Sequence, residues 1–480
     1  MSIVEGTDVL RLPIGDRHSH PDAETFAVLD KYRGHAAYRV ATASATDVDE
    51  AVGTARRALA TPLPAFRRYE ILMRAAALLD EERDRFVDAL ITEGGKPHKA
   101  STAEVGRAVE TLRWSAEEAK RLNGETIPLD ASAAGVGRLA LTLREPVGVV
   151  AAITPTNSPL NLVAHKVGPA LAAGNAVVLK PPRATPVCSL LLHDVLQRAG
   201  LPAGWLSVVA GPAAADALVS NADVDLYNVT GSAAVGARIR RDVGLRDTLM
   251  ELGGNSPVIV HGDADVARAA QACVAKGFAG AGQACTSVQR VYVHASVATA
   301  FVAALRAGVR ALVVGDPRDA RTDVGPMISE DAAQRVESWI DEALALGCRV
   351  HGDRRREGPV LWPVVLDGVP RDARVSCEEV FGPVIVVEPY TALDQAIDAA
   401  NDTRYGLHAA VFTSSLDVAF TAIRQLDAGG VLVNEATQWR TEYVPFGGVK
   451  DSGSGREGPR YAVERMTRTK VAMLALEQRT

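Results

Sequence analysis

A carboxylate and a thiol stand 34 residues apart in the middle of the chain, each beside glycines. Glu251 begins the run Glu251-Leu252-Gly253-Gly254-Asn255, and Cys285 ends the run Gly277-Phe278-Ala279-Gly280-Ala281-Gly282-Gln283-Ala284-Cys285. Glycine has no Cβ, so a glycine-rich approach lets backbone N–H groups come close to a reacting atom. A cysteine with an acid in reach is a candidate nucleophile and base. The competing reading makes Cys285 a small buried core residue, the commonest fate of an intracellular cysteine. A free thiol titrates near about 8.5, so a nucleophilic role requires help with deprotonation.

Two further segments carry groups that fit such chemistry. Asn157 sits in Thr154-Pro155-Thr156-Asn157-Ser158-Pro159, after a buried apolar run. Its amide can donate to a developing oxyanion, although asparagine between prolines is also an ordinary turn residue. Thr230-Gly231-Ser232 follows the run Asp225-Leu226-Tyr227-Asn228-Val229 and opens a helical stretch. Free N–H groups at such a helix start attract anions, and a plain strand-to-helix turn looks the same in sequence. The fingerprint G-x-G-x-x-G is absent from the first strand–helix unit.

The elements that must position these residues follow from composition and periodicity. At 480 residues, 47% hydrophobic and 23% charged, the chain has room for two or three globular domains. A net charge of −6 gives no basic footprint for nucleic acid. Five scattered cysteines without CxxC spacing argue for a reducing compartment, no disulfide framework and no metal site. The start of the chain has no apolar signal core. The longest apolar runs, such as 147–153, fall well short of the roughly 20 residues that span a bilayer. The expectation is a cytoplasmic protein without nucleic-acid or membrane partners.

Residues 1–40 read as an arm with short strands. Thr46 and Asp49 are spaced as a capping box opening the first helix; a second helix is expected over about 69–90 and a third over about 103–122. From 147 onward short apolar runs alternate with helices: 147–153, 175–180, 206–210, 225–229 and 247–252. Such alternation implies a parallel, doubly wound sheet. A second series follows, with helices near 264–280, 296–309, 330–346, 392–401 and 415–427 and strands near 289–294, 384–388 and 431–434. Two α/β units should therefore meet close to Glu251. The alternating run 138–146 reads as an exposed strand that invites pairing with another subunit.

Taken together, six segments resemble the aldehyde dehydrogenase superfamily over almost the whole chain: 153–186, 229–236, 251–257, 282–286, 378–384 and 445–458. The resemblance is to the hydrolytic branch, and to its members acting on lactaldehyde, glyceraldehyde 3-phosphate, semialdehydes or phosphonate aldehydes. It implies two doubly wound parallel-sheet domains, a Rossmann-like cofactor domain and a catalytic domain, plus a small β oligomerisation element. On that pattern 1–122 with 144–252 would bind cofactor, 253–452 would carry catalysis, and 123–143 with 453–480 would build a homodimer or homotetramer. Cys285 would attack the aldehyde carbon, the Asn157 amide and the Cys285 N–H would hold the oxyanion, and Glu251 would activate water against a thioester. Lys180 would bond the adenosine ribose, and Thr154, Gly231 and Ser232 would line the cofactor groove, Ser232 beside the pyrophosphate. Glu379 would hold the nicotinamide ribose, with Phe381 beside the ring.

The chain departs from the family pattern at two places. Arg183 stands three residues after Lys180, where NAD-preferring members commonly carry an acid. A cation there suits a 2′-phosphate, so NADP is expected over NAD. Around the pocket, Thr156 and Ser158 replace aromatics, and His165 stands where several members place an aromatic wall. Arg107 matches a pocket-lining position, and Gln438-Trp439-Arg440 matches the loop closing the other side. A polar, cationic pocket favours an anionic aldehyde. The alternatives are neutral short-chain or hydroxy aldehydes, with the arginines spent on acids such as Glu110 or Glu442. A CoA-acylating relative fits less well, because such enzymes generally lack the glutamate that Glu251 supplies. A catalytically dead scaffold fits least. Arg290 reads as structural, and Cys188, Cys273, Cys348 and Cys377 as inert.

Overall fold

In the computed structural model, which describes residues 9–476, the chain passes from one sheet to a second just after Glu251. In the first, the parallel strands run Asp247–Glu251, Leu226–Thr230, Val149–Ile153, Ala176–Lys180 and Leu206–Val208, with the short strand Gly453–Ser454 antiparallel beside Glu251. Their side chains are buried on both faces, as expected where helices cover both sides. Fully burying each such valine or leucine contributes about 1.5–3 kcal/mol. Register pairs Thr230 with Glu251 and Ile153 with Lys180. The carboxyl ends of four strands therefore deliver Thr154, Lys180, Gly231 and Glu251 to one edge.

The second sheet has seven strands in the order Arg349–Gly352, Val364–Asp367, Val384–Tyr390, Arg290–His294, Pro257–Val260, His408–Phe412 and Gly430–Val433, all parallel except the first. Here the chemistry-bearing loops precede the strands. Gly253–Asn255 leads into Pro257, Cys285 leads into Arg290, and Glu379–Gly382 leads into Val384. The site thus lies between the carboxyl edge of one sheet and the amino edge of the other. The apolar cores divide accordingly, one holding residues up to Leu252 together with Ala462, Val463 and Met466, and another beginning at Val258.

A three-stranded antiparallel sheet joins Thr126–Ile127, Arg138–Pro146 and Thr467–Ala475. Residues 453–466 do not belong to it, contrary to the expected boundary at 453. Gly453–Ser454 extends the first sheet, and the helix Pro459–Arg465 buries Ala462 and Val463 in the core of that sheet's helices. The strand Arg138–Pro146 has the bounds expected for it and runs three residues past the expected end of this element at 143. Residues 1–8 and 477–480, parts of the expected arm and tail, lie outside the described residues.

Local departures have local causes. The capping box is Ser44 with Asp47: Ser44 is extended, its hydroxyl accepts from Asp47 N–H at 3.1 Å, and the Asp47 carboxylate accepts from Ser44 N–H at 2.9 Å. The cap thus stands two residues before the expected Thr46, three residues after the strand Ala36–Ala41 ends. The helix expected over 69–90 is two, Ala65–Glu81 and Arg83–Gly94, broken at Glu82 (φ −95, ψ 21). The third spans His98–Ala119, starting directly after Pro97. Strands Pro257–Val260, Val364–Asp367 and His408–Phe412 are apolar and buried but only four or five residues long, and were not among the expected strands. Among the described residues no helix is long and apolar enough to cross a membrane.

Candidate active site

Left-handed backbone shapes the thiol's loop. Gly280, Ala281 and Gly282 have φ values of 58, 57 and 70. For Ala281 that conformation costs about 1–2 kcal/mol, and the buried surroundings must hold it in place. A Cβ on Gly282 would stand 2.1 Å from the Gly382 carbonyl oxygen, so the Cys285 loop and the Glu379–Gly382 loop touch backbone to backbone. A Cβ on Gly254 would meet the Cys285 carbonyl oxygen at 2.6 Å. The glycines around Glu251 and before Cys285 thus let three loops converge. The Cys285 backbone N–H and the Asn157 side-chain amide have no hydrogen-bond partner among the described residues.

Glu251 is 1% exposed, and apart from the neighbouring Cys285 thiol its carboxylate has no hydrogen-bond partner among the described residues. Burial, followed by the nearby negative charge of Glu457, pushes its pKa up to about 8. Glu457 itself is buried, accepts from Lys166 Nζ at 3.1 Å and from Thr230 Oγ1 at 3.3 Å, and lies 3.9 Å from the Arg440 guanidinium. Burial also raises the Cys285 thiol, with the Glu251 charge adding to it, while Arg440 pulls the other way. An acid with no other partner beside a reluctant thiol is an arrangement for moving protons.

Asn157 is held from beneath. Lys96 Nζ donates to the Asn157 carbonyl at 2.9 Å and also pairs with Glu104. The Glu104 carboxylate in turn accepts from the N–H groups of Leu160 and Asn161 at 3.0 and 3.1 Å. Neither residue was singled out from sequence.

Two cavities abut at this loop. One of about 320 Å³ is lined by Gly231, Ser232, Glu251, Cys285, Glu379 and Phe381 among others, and one of about 310 Å³ by Lys96, Arg107, Ser158, Lys276, Trp439 and Arg440 among others. Thr156 and Asn157 line both. Asn157 therefore stands at the partition between them, with Cys285 lining the first cavity and its neighbour Ala284 the second.

The first cavity fits a nicotinamide dinucleotide. Ser232 caps the helix Ala233–Val243, accepting from Val235 N–H at 3.4 Å, and a Cβ added to Gly231 would meet only Val235 Cγ1, at 3.9 Å. The buried Thr154 hydroxyl has no protein partner. Glu379 accepts from Gly254 N–H at 3.1 Å, and burial raises its pKa to about 7. Phe381 holds a positive φ of 47 at the cavity wall. Lys180 is largely buried with its pKa lowered by desolvation. Arg183 is exposed, with its guanidinium 5.1 Å from the Phe26 ring centroid. Arg335, not foreseen, also lines this cavity and donates to the Val380 carbonyl at 2.6 Å.

The second cavity gathers four of the five expected pocket residues. Arg107, Ser158, Trp439 and Arg440 line it; His165 does not. His165 is fully buried behind the wall, 2.5 Å from Glu442. That acid also accepts from Arg107 Nε at 2.5 Å and Asn161 Nδ2 at 3.0 Å. Burial lowers the His165 pKa, and the surrounding donors hold Glu442 well below the usual carboxylate range despite its own burial. His165 is a support for Arg107 because the helix Asn161–Ala173 is buried all round and turns that side chain inward. The ion pair weighed for Arg107 is thus real, with Glu442 and not Glu110, and it occupies only Nε of the guanidinium. Arg440 lies 3.8 Å from the Phe446 ring centroid, and Trp439 is half exposed at the mouth. Arg290 spends its donors on the carbonyls of Asn255, Ala399 and Ala400, a structural role.

A strand–helix fold with a thiol, an unpaired acid and a dinucleotide groove defines a cofactor-dependent dehydrogenase. The model of the Aldehyde dehydrogenase family matches residues 18–472, and the chain belongs to that family. It is 46% identical over 456 residues to a 3-sulfolactaldehyde dehydrogenase of Priestia megaterium, covering 95% of this chain and 96% of that one. Its structure superposes on that of aldehyde dehydrogenase 21 from Physcomitrella patens in complex with the reaction product succinate (TM-score 0.95, 35% identity, 99% and 100% of the two chains). It also superposes on an NADP-dependent glyceraldehyde-3-phosphate dehydrogenase from Bacillus halodurans complexed with NADP (TM-score 0.95, 35% identity, 98% and 100%). The protein is an NAD(P)-dependent aldehyde dehydrogenase that oxidises small aldehydes.

Proposed function

We propose that the substrate is a small aldehyde carrying a terminal anion, oxidised to the carboxylate with NADP preferred over NAD. One observation carries this reading: the 310 Å³ cavity is lined by four cations, Lys96, Arg107, Lys276 and Arg440, against a single carboxylate, Glu104. The relatives point the same way, since one acts on 3-sulfolactaldehyde and another holds succinate.

In this reading Glu251 accepts the Cys285 proton and the sulfur bonds to the aldehyde carbon. The two unpaired donors, the Asn157 amide and the Cys285 N–H, take the oxyanion. When bound, the oxidised nicotinamide supplies the hydride acceptor. Glu379 orients its ribose, Phe381 packs beside the ring, Gly231 and Ser232 line the groove, and the unpartnered Thr154 hydroxyl lies buried at the end of the adjoining strand. The hydride leaves the carbon with its electron pair, and a Cys285 thioester remains. Glu251, after passing its first proton to solvent, takes a proton from water, whose oxygen bonds to the acyl carbon as the C–S bond breaks; that proton then passes to the leaving sulfur, and the acid product loses its own to solvent, giving carboxylate and free thiol. Lys180 and Arg183 hold the adenosine end, and Arg183 favours a 2′-phosphate.

Three finer readings accompany it. The first sheet and its helices form the cofactor part and 253–452 the catalytic part, as the division of the two cores supports. A homodimer or homotetramer would cover the exposed Leu143, Val471 and Met473 of the three-stranded sheet. The five unpaired cysteines suit the cytoplasm.

A second reading has its own observation. Lys96, Arg107 and Arg440 each face a carboxylate, Glu104, Glu442 and Glu457 respectively, which reduces the net field in the cavity. A neutral hydroxy aldehyde would then serve. Comparing kcat/KM for neutral and anionic small aldehydes, each with NADP and NAD, decides between them. A wide margin for neutral alkyl aldehydes overturns the anionic reading, and a large NAD preference overturns the cofactor preference.

A further inference from the structure

Of the four cations lining the substrate-side cavity, three are tied to a carboxylate. Lys276 is the exception: among the described residues no carboxylate lies within 4.0 Å of its ammonium and no side-chain hydrogen bond engages it. Its backbone is fixed, in the last turn of the helix Val266–Gly277, and the Ser287 hydroxyl donates to the carbonyls of Lys276 and Gly277 at 3.4 and 3.0 Å. The anchor is two residues past Cys285, so the lysine's base is tied to the thiol's own loop while its four-carbon stem remains free. It enters the cavity from the wall built by Ala279, Gly280 and Gln283, whereas Arg107 projects from the helix His98–Ala119 and Arg440 from the loop after Gly430–Val433.

That placement separates two kinds of anion. A carboxylate is planar and offers two oxygens, which one arginine fork satisfies. A sulfonate, phosphonate or phosphate offers three oxygens on a tetrahedral centre, so with two on the arginine side the third points elsewhere. A lysine is a compact point charge with three donors and no planar fork, suited to a single outlying oxygen. Resting on the anionic-aldehyde reading above, we propose that Lys276 is a specificity-determining residue: it takes the third oxygen of a tetrahedral terminal oxyanion and selects such aldehydes over carboxylates.

The test uses the full-length enzyme and the series OHC–CH2–CH2–X with X a sulfonate, a carboxylate or a methyl group. Wild type should favour the sulfonate over the carboxylate, and both over the methyl compound. In Lys276→Met the sulfonate-to-carboxylate ratio of kcat/KM should fall at least tenfold, carried by KM, with Lys276→Arg recovering part of it. If wild type prefers the methyl compound, the anionic-aldehyde reading fails and this inference with it. If wild type prefers the anions but Lys276→Met keeps the sulfonate-to-carboxylate ratio within twofold, only the role of Lys276 is overturned. An equal loss on all three substrates, with a lowered Tm, also overturns it, because a structural role would produce that.

Discussion

Lys96 and Glu104 form a buried ion pair that grips the Asn157 loop at both ends: the ammonium holds the Asn157 carbonyl at 2.9 Å, and the carboxylate holds the N–H groups of Leu160 and Asn161. The loop belongs to the partition between the two cavities, so this pair fixes the position of the Asn157 amide relative to Cys285. Donors aimed at a developing oxyanion act through preorganisation.

Lys96→Met should therefore lower kcat more than it raises KM, by about tenfold to a hundredfold, the range expected when one oxyanion donor is partly displaced. Removing one partner of a buried pair should also cost about 3 kcal/mol of stability. Steady-state kinetics beside denaturant unfolding check both; a variant with wild-type kcat would mean that the loop holds Asn157 without the pair.

The raised pKa of Glu251 has a kinetic signature. Below about 8 its carboxyl keeps a proton and cannot accept one; above about 8 the base is present. Hydrolysis of the acyl-enzyme should rise roughly tenfold per pH unit on the acid side and level off above the inflection. Glu457→Gln removes the anion that raises Glu251 and leaves Lys166 without its counter-charge, so the inflection should move to lower pH. Single-turnover deacylation measured from pH 6 to 9 reads it; an unmoved inflection would assign the shift to burial alone.

Arg183→Glu should reverse the cofactor preference, lowering kcat/KM for NADP by at least about tenfold while NAD loses less. The comparison of the two cofactors in wild type and variant checks it. Equal losses on both would mean that the guanidinium serves only its packing against Phe26.

How much was legible depended on whether a residue acts through the chain or across space. Asn157 and Ser232 follow the short strands Val149–Ile153 and Leu226–Thr230, Glu251 closes Asp247–Glu251, and the converging glycines precede Cys285 in the sequence itself. The two-sheet fold came from the same alternation. Lys96 and Glu104 act on a loop more than fifty residues away, and only the packing of the helices His98–Ala119 and Asn161–Ala173 brings them there. His165 failed as a pocket residue for the converse reason: its position in the chain suggested the wall, but its helix is buried on every side, so the ring turns to Glu442. Lys276 carries no motif, and its lack of a counter-ion exists only in three dimensions.

The central claim is that Cys285 carries the acyl group and Glu251 releases it. The most direct measurement is the mass of Glu251→Gln after mixing with an anionic aldehyde and NADP. One acyl adduct per active chain is expected, mapped by peptide analysis to Cys285, with a burst of NADPH of matching size and steady turnover slowed by about a hundredfold or more. Undiminished turnover, or an adduct on another cysteine such as Cys377, would contradict the account.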